Sequence, residues 1–187
     1  MALLSLLSSS CSPKGYSGIN IVVPSAKDAL PALYNSAINW DKDVYLVSIS
    51  IPIGPPGYVP YAIAVSYEST NENNKELLVQ QDLDGEIITI ENTSGYNSRK
   101  KEIKDEDWIL DSQEIANQVS SFTRIEEFFK NRKDPVCGRM ILKYHFEYDS
   151  TSRNLFWRVY LYDCENITDS VFVDVDPNSG KELTQFR

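Results

Sequence analysis

One histidine and three cysteines are the side chains of this sequence that could support the widest range of chemistry. His145 lies between Tyr144 and Phe146 in a stretch that alternates like a strand. A catalytic histidine needs a nucleophile and an acid that orients it, and the sequence points to neither. We therefore interpret His145 as a surface residue, and the sequence predicts no catalytic residue, no cofactor and no enzyme activity.

Two acidic clusters have the composition of a cation-binding loop. They occupy positions 82–86 and 174–180. A calcium loop of the EF-hand type needs glycine at its sixth position and glutamate at its twelfth, where the second cluster has Ser179 and Gln185. Both clusters fit hairpin turns better, and no cysteine and histidine spacing is typical of zinc. The sequence therefore predicts no metal site.

The cysteines Cys137 and Cys164 are placed to form a disulfide bond. Cys137 precedes a predicted strand at 140–148, and Cys164 follows the next predicted strand. If a turn at 149–154 joins these strands as antiparallel neighbours, their outer ends meet, close enough for a bridge. Such a bridge fits an exported protein. The alternative is two free, buried thiols in a cytosolic protein.

The amino terminus has a leucine-rich run followed by small residues and Cys11. This order resembles the end of a bacterial lipoprotein signal, in which the cysteine carries the lipid. The resemblance implies a lipid anchor at Cys11, with residues 1–18 as a signal remnant and tether. It also implies a location in the cell envelope, facing the periplasm or the exterior. The alternative is a terminal segment that carries no targeting signal and in which the cysteine is incidental.

The overall charge and hydropathy argue against two classes of protein. The net charge of −9 argues against a surface that binds nucleic-acid phosphates. No apolar run reaches the roughly 18 residues that a membrane-spanning helix needs. Because 42% of the residues are hydrophobic and 24% are charged, the chain has the composition of an ordinary globular protein.

The first half of the chain is predicted to be a helix followed by strands. Ser25 and Asp28 have the spacing of a capping box, and apolar residues then recur with helical period up to about position 40. Four alternating stretches follow, at 45–51, 61–67, 77–81 and 86–91. The proline-rich segment 52–60 joins two of these strands. We interpret it as a connecting loop, and the alternative is an exposed contact surface of proline and tyrosine.

The second half repeats this order. Asp111 with Glu114 predicts a second helix, a further short helix follows at 124–131, and alternating strands run from 140 to 186. The repetition suggests an internal duplication of about ninety residues. We therefore predict an α+β fold of two tandem units, each a helix packed on an antiparallel sheet of about four strands. These units would cover 19–97 and 108–187, with 98–107 as a charged linker.

The second unit resembles a PepSY domain. The resemblance rests on the helix start at 108–116, the Trp-Arg-Val-Tyr strand at 157–160 and the hairpin Phe-Val-Asp-Val-Asp to Gly-Lys-Glu-Leu at 172–183. The first unit is similar more loosely, at 25–30 and 84–87. The resemblance implies an exported, non-enzymatic module that restrains a peptidase.

Two functions remain open at this point. The first is a module that binds a protein, such as a peptidase or another envelope protein. The second is a module that binds a small ligand or a surface polymer in the groove between helix and sheet. A pocket with converging polar groups would favour the second function, and an exposed sheet edge or aromatic patch without a pocket would favour the first. The candidate residues for partner contact are Tyr58, Tyr61, Phe156, Arg158, Tyr160 and Tyr162.

Overall fold

A computed structural model describes residues 21–55, 57–71, 75–93, 100–130, 132, 134–144 and 154–183. Cys11 and His145 lie outside the described residues. The helices are α1 (Ala26–Ala37), α2 (Ser112–Val119) and α3 (Thr123–Lys130), with a 3-10 turn at Asp105–Asp107. The strands are β1 (Val44–Ile53), β2 (Ile63–Ser69), β3 (Lys75–Gln81), β4 (Ile87–Thr93), β5 (Val136–Tyr144), β6 (Leu155–Asp163) and β7 (Ser170–Val175). No helix in these ranges has both the length and the apolar character needed to cross a membrane.

All seven strands belong to one antiparallel sheet, in the order β4-β3-β2-β1-β5-β6-β7. The two halves meet where β1 pairs with β5, from Ser48 opposite Lys143 to Ile53 opposite Gly138. The prediction of two tandem units with separate sheets is therefore wrong. Two separate sheets would leave β1 and β5 as additional edges with unpaired backbone groups, and their pairing removes both edges.

The three helices bury their apolar side chains in a common core on one face of the sheet. α1 packs on β2, β3 and β4, α3 contacts β7, and α1 contacts α2. The core joins residues of both halves, and these include Leu33, Ile51, Val65, Ile115, Met140, Trp157 and Val173. Because one hydrophobic cluster serves both halves, neither half has a complete core of its own.

The other face of the sheet, here called the open face, carries the alternate side chains of the same strands. On β6 the core receives Trp157 and Val159, so that Phe156, Arg158 and Tyr160 point to the open face. The register places Arg158 between Ile141 of β5 and Asp174 of β7. This alternation brings charged and aromatic side chains of three strands onto one surface.

Both predicted capping boxes mark real helix starts. The Ser25 side chain accepts a hydrogen bond from the Asp28 N–H at 3.0 Å. Asp111 and Glu114 form the reciprocal pair at the start of α2. The turn between β3 and β4 is also confirmed, with Gly85 at a φ of 91°, a conformation that glycine adopts without strain.

The segment 100–108, here called the crossing segment, passes from the open face to the helix face. Pairing of β1 with β5 stops at Ser48, beside an irregularity in β1 between Leu46 and Ser48. Beyond that point the Ile103 N–H donates to the Leu46 carbonyl at 2.8 Å. Ile103 and Trp108 are buried, although both belong to a stretch rich in charges. The crossing segment is therefore built into the fold.

Candidate functional site

A cavity of about 630 Å³ lies between α1, the beginning of β1 and the crossing segment, and we call it the α1 cavity. Its volume falls in the range of about 300–1,000 Å³ that is usual for small-molecule sites. Its walls combine apolar, aromatic and charged side chains: Lys27, Leu30, Pro31, Tyr34, Val44, Tyr45, Leu46, Tyr67, Glu102, Ile103, Lys104, Asp105, Glu106 and Trp108.

The helical period of α1 gives the cavity one wall. Lys27, Leu30 and Tyr34 recur three and four residues apart, so they share a helix face. The neighbouring face, with Leu33 and Ala37, is fully buried in the core. The cavity therefore lies directly beside the hydrophobic core, and α1 is held on the sheet by its other side chains.

Two buried polar atoms belong to residues of the cavity wall. The Tyr67 hydroxyl and the Trp108 Nε1 are shielded from solvent and have no hydrogen-bond partner in the described part of the chain. A buried polar group that is left unpaired costs about 1–3 kcal/mol of stability. A ligand that supplies a hydrogen-bonding atom would remove such a cost.

The surroundings of Tyr67 keep its hydroxyl protonated. Burial raises the pKa of Tyr67 far above the usual value for tyrosine, and Tyr34 raises it further. The two rings pack with their centroids 6.2 Å apart. Tyr67 is only 1% exposed, whereas Tyr34 is 44% exposed at the cavity surface. The protonated hydroxyl of Tyr67 can both donate and accept a hydrogen bond.

The indole of Trp108 is held from two sides. Its ring meets the ring of Trp157 edge-on, with centroids 5.9 Å apart. The ammonium of Lys27, a residue of α1, lies 4.9 Å from the centroid of the Trp108 ring. It also donates a hydrogen bond to the Ile109 carbonyl at 2.7 Å. These contacts fix the ring, and its Nε1 can act only as a donor.

The charged rim of the α1 cavity carries both signs. Lys27 and Lys104 line it together with three acidic residues of the crossing segment, Glu102, Asp105 and Glu106. Such a mixed rim does not select strongly for a ligand of either charge.

Asp107 anchors the crossing segment next to this rim. Its carboxylate accepts hydrogen bonds from the Lys104 N–H at 2.9 Å and from the Tyr144 hydroxyl at 2.8 Å. Burial acts to raise the pKa of Asp107, but these hydrogen bonds, together with the charges of Lys101 and Lys104, outweigh it and hold the pKa below its usual value. The 3-10 turn is thereby tied to β5.

The structure brings four of the six predicted contact residues together on the open face, away from the α1 cavity. Phe156 is buried there, and Arg158 binds Asp174 through two hydrogen bonds of 2.7 and 2.8 Å. The rings of Tyr160 and Tyr162 pack with centroids 5.3 Å apart. The other two predicted residues, Tyr58 and Tyr61, lie between β1 and β2.

Sequence reasoning missed the cavity residues of the crossing segment. Ile103 and Trp108 stand among charged residues, and that contrast is the signal that could have identified them as buried. The predicted disulfide, in contrast, is confirmed: Cys137 and Cys164 are bonded, with their Cα atoms 4.9 Å apart. Within the described ranges, no group of three side chains is arranged to hold a metal ion.

No protein-family model, curated protein or solved structure matches the chain significantly. The resemblance to PepSY domains therefore stays a prediction.

Proposed function

We propose that this protein is a non-catalytic binding protein that takes a small amphipathic molecule into the α1 cavity. The observation that carries the proposal is that Tyr67 and Trp108, which line an otherwise mainly apolar and aromatic cavity, each hold a buried polar atom with no hydrogen-bond partner in the described part of the chain. Pockets that bind small molecules combine such walls with a few polar groups. This site lies in the groove between helix and sheet, as the ligand-binding hypothesis requires.

The cavity wall favours one class of ligand. Trp108 offers a donor, so the ligand needs a hydrogen-bond acceptor. Tyr34 and Tyr67 favour an aromatic or aliphatic body with no strong charge, since the rim has both signs. Both polar atoms are shielded from water. A ligand can therefore reach them only after a side chain at the entrance of the cavity changes its rotamer. The exposed ring of Tyr34 is suited to that movement.

A second candidate function is binding of a protein such as a peptidase, as the PepSY resemblance implies. The observation that favours it is the edge strand β4. Its residues Ile87, Ile88 and Ile90 are 37–49% exposed, and its outer side has no neighbouring strand in the described sheet. An exposed edge of this kind can accept an extended segment of a partner. This candidate and the α1 cavity use different parts of the molecule.

We also propose that the protein belongs to the cell envelope and is anchored through a lipid on Cys11. The disulfide between Cys137 and Cys164 supports an oxidising compartment. In bacterial cells that express the chain behind an established lipoprotein signal, fractionation should place the wild type in membranes and Cys11→Ser in the soluble fraction. Equal partitioning of the two would contradict the anchor.

Fluorescence titration with N-phenyl-1-naphthylamine tests the proposed cavity. This probe is uncharged, aromatic and brighter in apolar surroundings, and it reports on the apolar space of the cavity rather than on its two polar atoms. The test variant is Leu30→Trp, which fills the cavity from α1. The matched control is Leu83→Trp, because Leu83 is 60% exposed in the turn before β4. Thermal melts of both variants check that the fold is kept.

We expect saturable binding to the wild type and to Leu83→Trp. Binding to Leu30→Trp should be at least about tenfold weaker, because the added ring occupies the space of the probe. Equal affinity of all three proteins would contradict the proposal. Binding that is blocked instead by a charge on β4, as in Ile88→Lys, would assign the apolar site to the edge strand.

A further inference from the structure

We propose that a second cavity, on the open face, binds a carboxylate carried on an apolar body. This cavity measures about 390 Å³ and lies where β1 and β5 separate, across the crossing segment from the α1 cavity. We call it the basic notch. Its walls carry four cationic side chains and four others: Lys100, Lys101, Lys143, Arg158, Val47, Ser48, Tyr144 and Phe156.

Two of the four cations already have carboxylate partners. The Lys100 ammonium lies 2.6 Å from Glu76 and 3.7 Å from Glu68. The Arg158 guanidinium is engaged by Asp174 through Nε and Nη2. These pairs fix the two side chains in place, and their charges are balanced within the protein.

The other two cations, Lys101 and Lys143, differ from these in the described part of the chain. Within the described part of the chain neither Lys101 nor Lys143 forms an ion pair, and Lys101 lies 3.9 Å from the centroid of the Tyr144 ring. Lys143 is only partly exposed. Burial lowers the pKa of Lys143, the nearby Arg158 charge lowers it further, and Asp174 opposes this effect. An anion placed beside Lys143 would favour its charged form.

The chemistry of the notch selects the kind of anion. The two oxygens of a carboxylate can each accept a hydrogen bond from one ammonium group, and a carboxylate carries less charge to desolvate beside an apolar wall than a phosphate group does. Val47, Tyr144 and Phe156 supply an apolar wall, and Phe156 is fully buried. The ligand is therefore a carboxylate attached to an aliphatic or aromatic group. It can be a free small acid or the carboxyl terminus of a peptide.

A protein with a net charge of −9 repels anions at long range, so binding in the notch has to come from short-range contacts. Exposed charges are screened beyond roughly 8–10 Å at moderate salt. We therefore expect the interaction to depend on Lys143 itself and to be nearly insensitive to a lysine placed elsewhere.

Calorimetric titration with 4-phenylbutyrate tests the site, and 4-phenylbutyramide serves as its uncharged counterpart. The peptide acetyl-Gly-Phe, with a free carboxylate, represents a protein carboxyl terminus. The variants of the full chain are Lys143→Gln, Lys143→Arg, which keeps the charge, and the control Lys42→Gln, since Lys42 is exposed outside the notch.

We expect the acid to bind the wild type and Lys42→Gln alike and the amide to bind at least about tenfold more weakly. Lys143→Gln should lose about tenfold in affinity for the acid, and Lys143→Arg should retain binding.

Tighter binding of acetyl-Gly-Phe than of 4-phenylbutyrate would identify a peptide terminus as the source of the carboxylate, and the reverse would identify a free acid. Equal binding of acid and amide, unchanged binding by Lys143→Gln, or no binding of either carboxylate up to about 10 mM would overturn the proposal. Because the basic notch and the α1 cavity are lined by different residues, the result for carboxylate binding in the notch does not depend on the result for ligand binding in the α1 cavity.

Discussion

Asp111 accepts a hydrogen bond from the backbone N–H of Ala26 at 3.0 Å, across 85 residues of sequence. The same oxygen accepts from Lys27 N–H at 3.2 Å and from Ser112 N–H at 2.7 Å. One carboxylate thus caps the starts of α1 and α2 together. The first turn of a helix leaves its N–H groups without partners inside the helix, so this contact joins the two halves where both need an acceptor.

Replacement of Asp111 by alanine should therefore cost more than the loss of one cap. A single capping side chain contributes about 1 kcal/mol, and we expect Asp111→Ala to lower the free energy of unfolding by about 2 kcal/mol on that basis. Urea unfolding measures this change in the free energy of unfolding, with Asp134→Ala as a control at an exposed position. A loss no larger than that of Ser25→Ala would show that Asp111 supports only its own helix.

The shared sheet predicts that the halves do not fold separately. Fragments 19–97 and 98–187 would expose the unpaired edges of β1 and β5 and half of a common core. We expect each fragment alone to lack a cooperative thermal transition by circular dichroism, and an equimolar mixture to regain one. A cooperative melt of either fragment near the temperature of the full chain would contradict the shared core.

The pair formed by Arg158 and Asp174 should contribute to stability. Asp174 is 3% exposed, so Arg158→Ala leaves a buried carboxylate without its partner, at a cost of about 1–3 kcal/mol. Arg139→Ala is the matched control, because Arg139 lies on the same face and is exposed. Its effect should stay within about 0.5 kcal/mol. Denaturant unfolding of Arg158→Ala, Asp174→Ala and the double variant gives the coupling between the two residues, and additive losses would count against the pair.

Local structure was predictable where neighbouring residues determine it. The caps at Ser25 and Asp111 and the turn at Gly85 depend on a few adjacent side chains, and the sequence identified them. The disulfide followed from the antiparallel pairing of two consecutive strands.

The pairing of β1 with β5 could not be derived in this way, because alternation shows which face of a strand is buried but not which strand lies beside it. The residues that line the α1 cavity were missed for a related reason. Its wall depends on the path of the crossing segment, where Ile103 and Trp108 are buried among charged neighbours. The open-face residues Phe156, Arg158, Tyr160 and Tyr162 were identifiable as a group, because alternation along one strand is sufficient to show that they share a face.

Replacement of Tyr67 by phenylalanine should affect the stability of the protein and its ligand binding differently. Because this buried group has no partner in the described part of the chain, Tyr67→Phe should leave the stability of the free protein unchanged or raise it by up to about 1 kcal/mol. The same change should weaken binding of a ligand that has an acceptor for the hydroxyl. Thermal melts without ligand and titrations with 4-ethylacetanilide, a small uncharged amide, measure the two effects. A marked loss of stability would mean that the hydroxyl is already paired.

The most direct test of ligand binding in the α1 cavity uses the indole N–H signals of the three tryptophans. Trp108 belongs to the cavity wall, whereas the Trp40 indole donates to Glu91 at 2.9 Å outside it. In a ¹⁵N-labelled sample titrated with 4-ethylacetanilide, we predict that the Trp108 signal moves to a saturating position and the Trp40 signal stays in place. A Trp108 signal that does not move, or that moves no more than the Trp40 signal, would contradict the proposal that this cavity is the binding site.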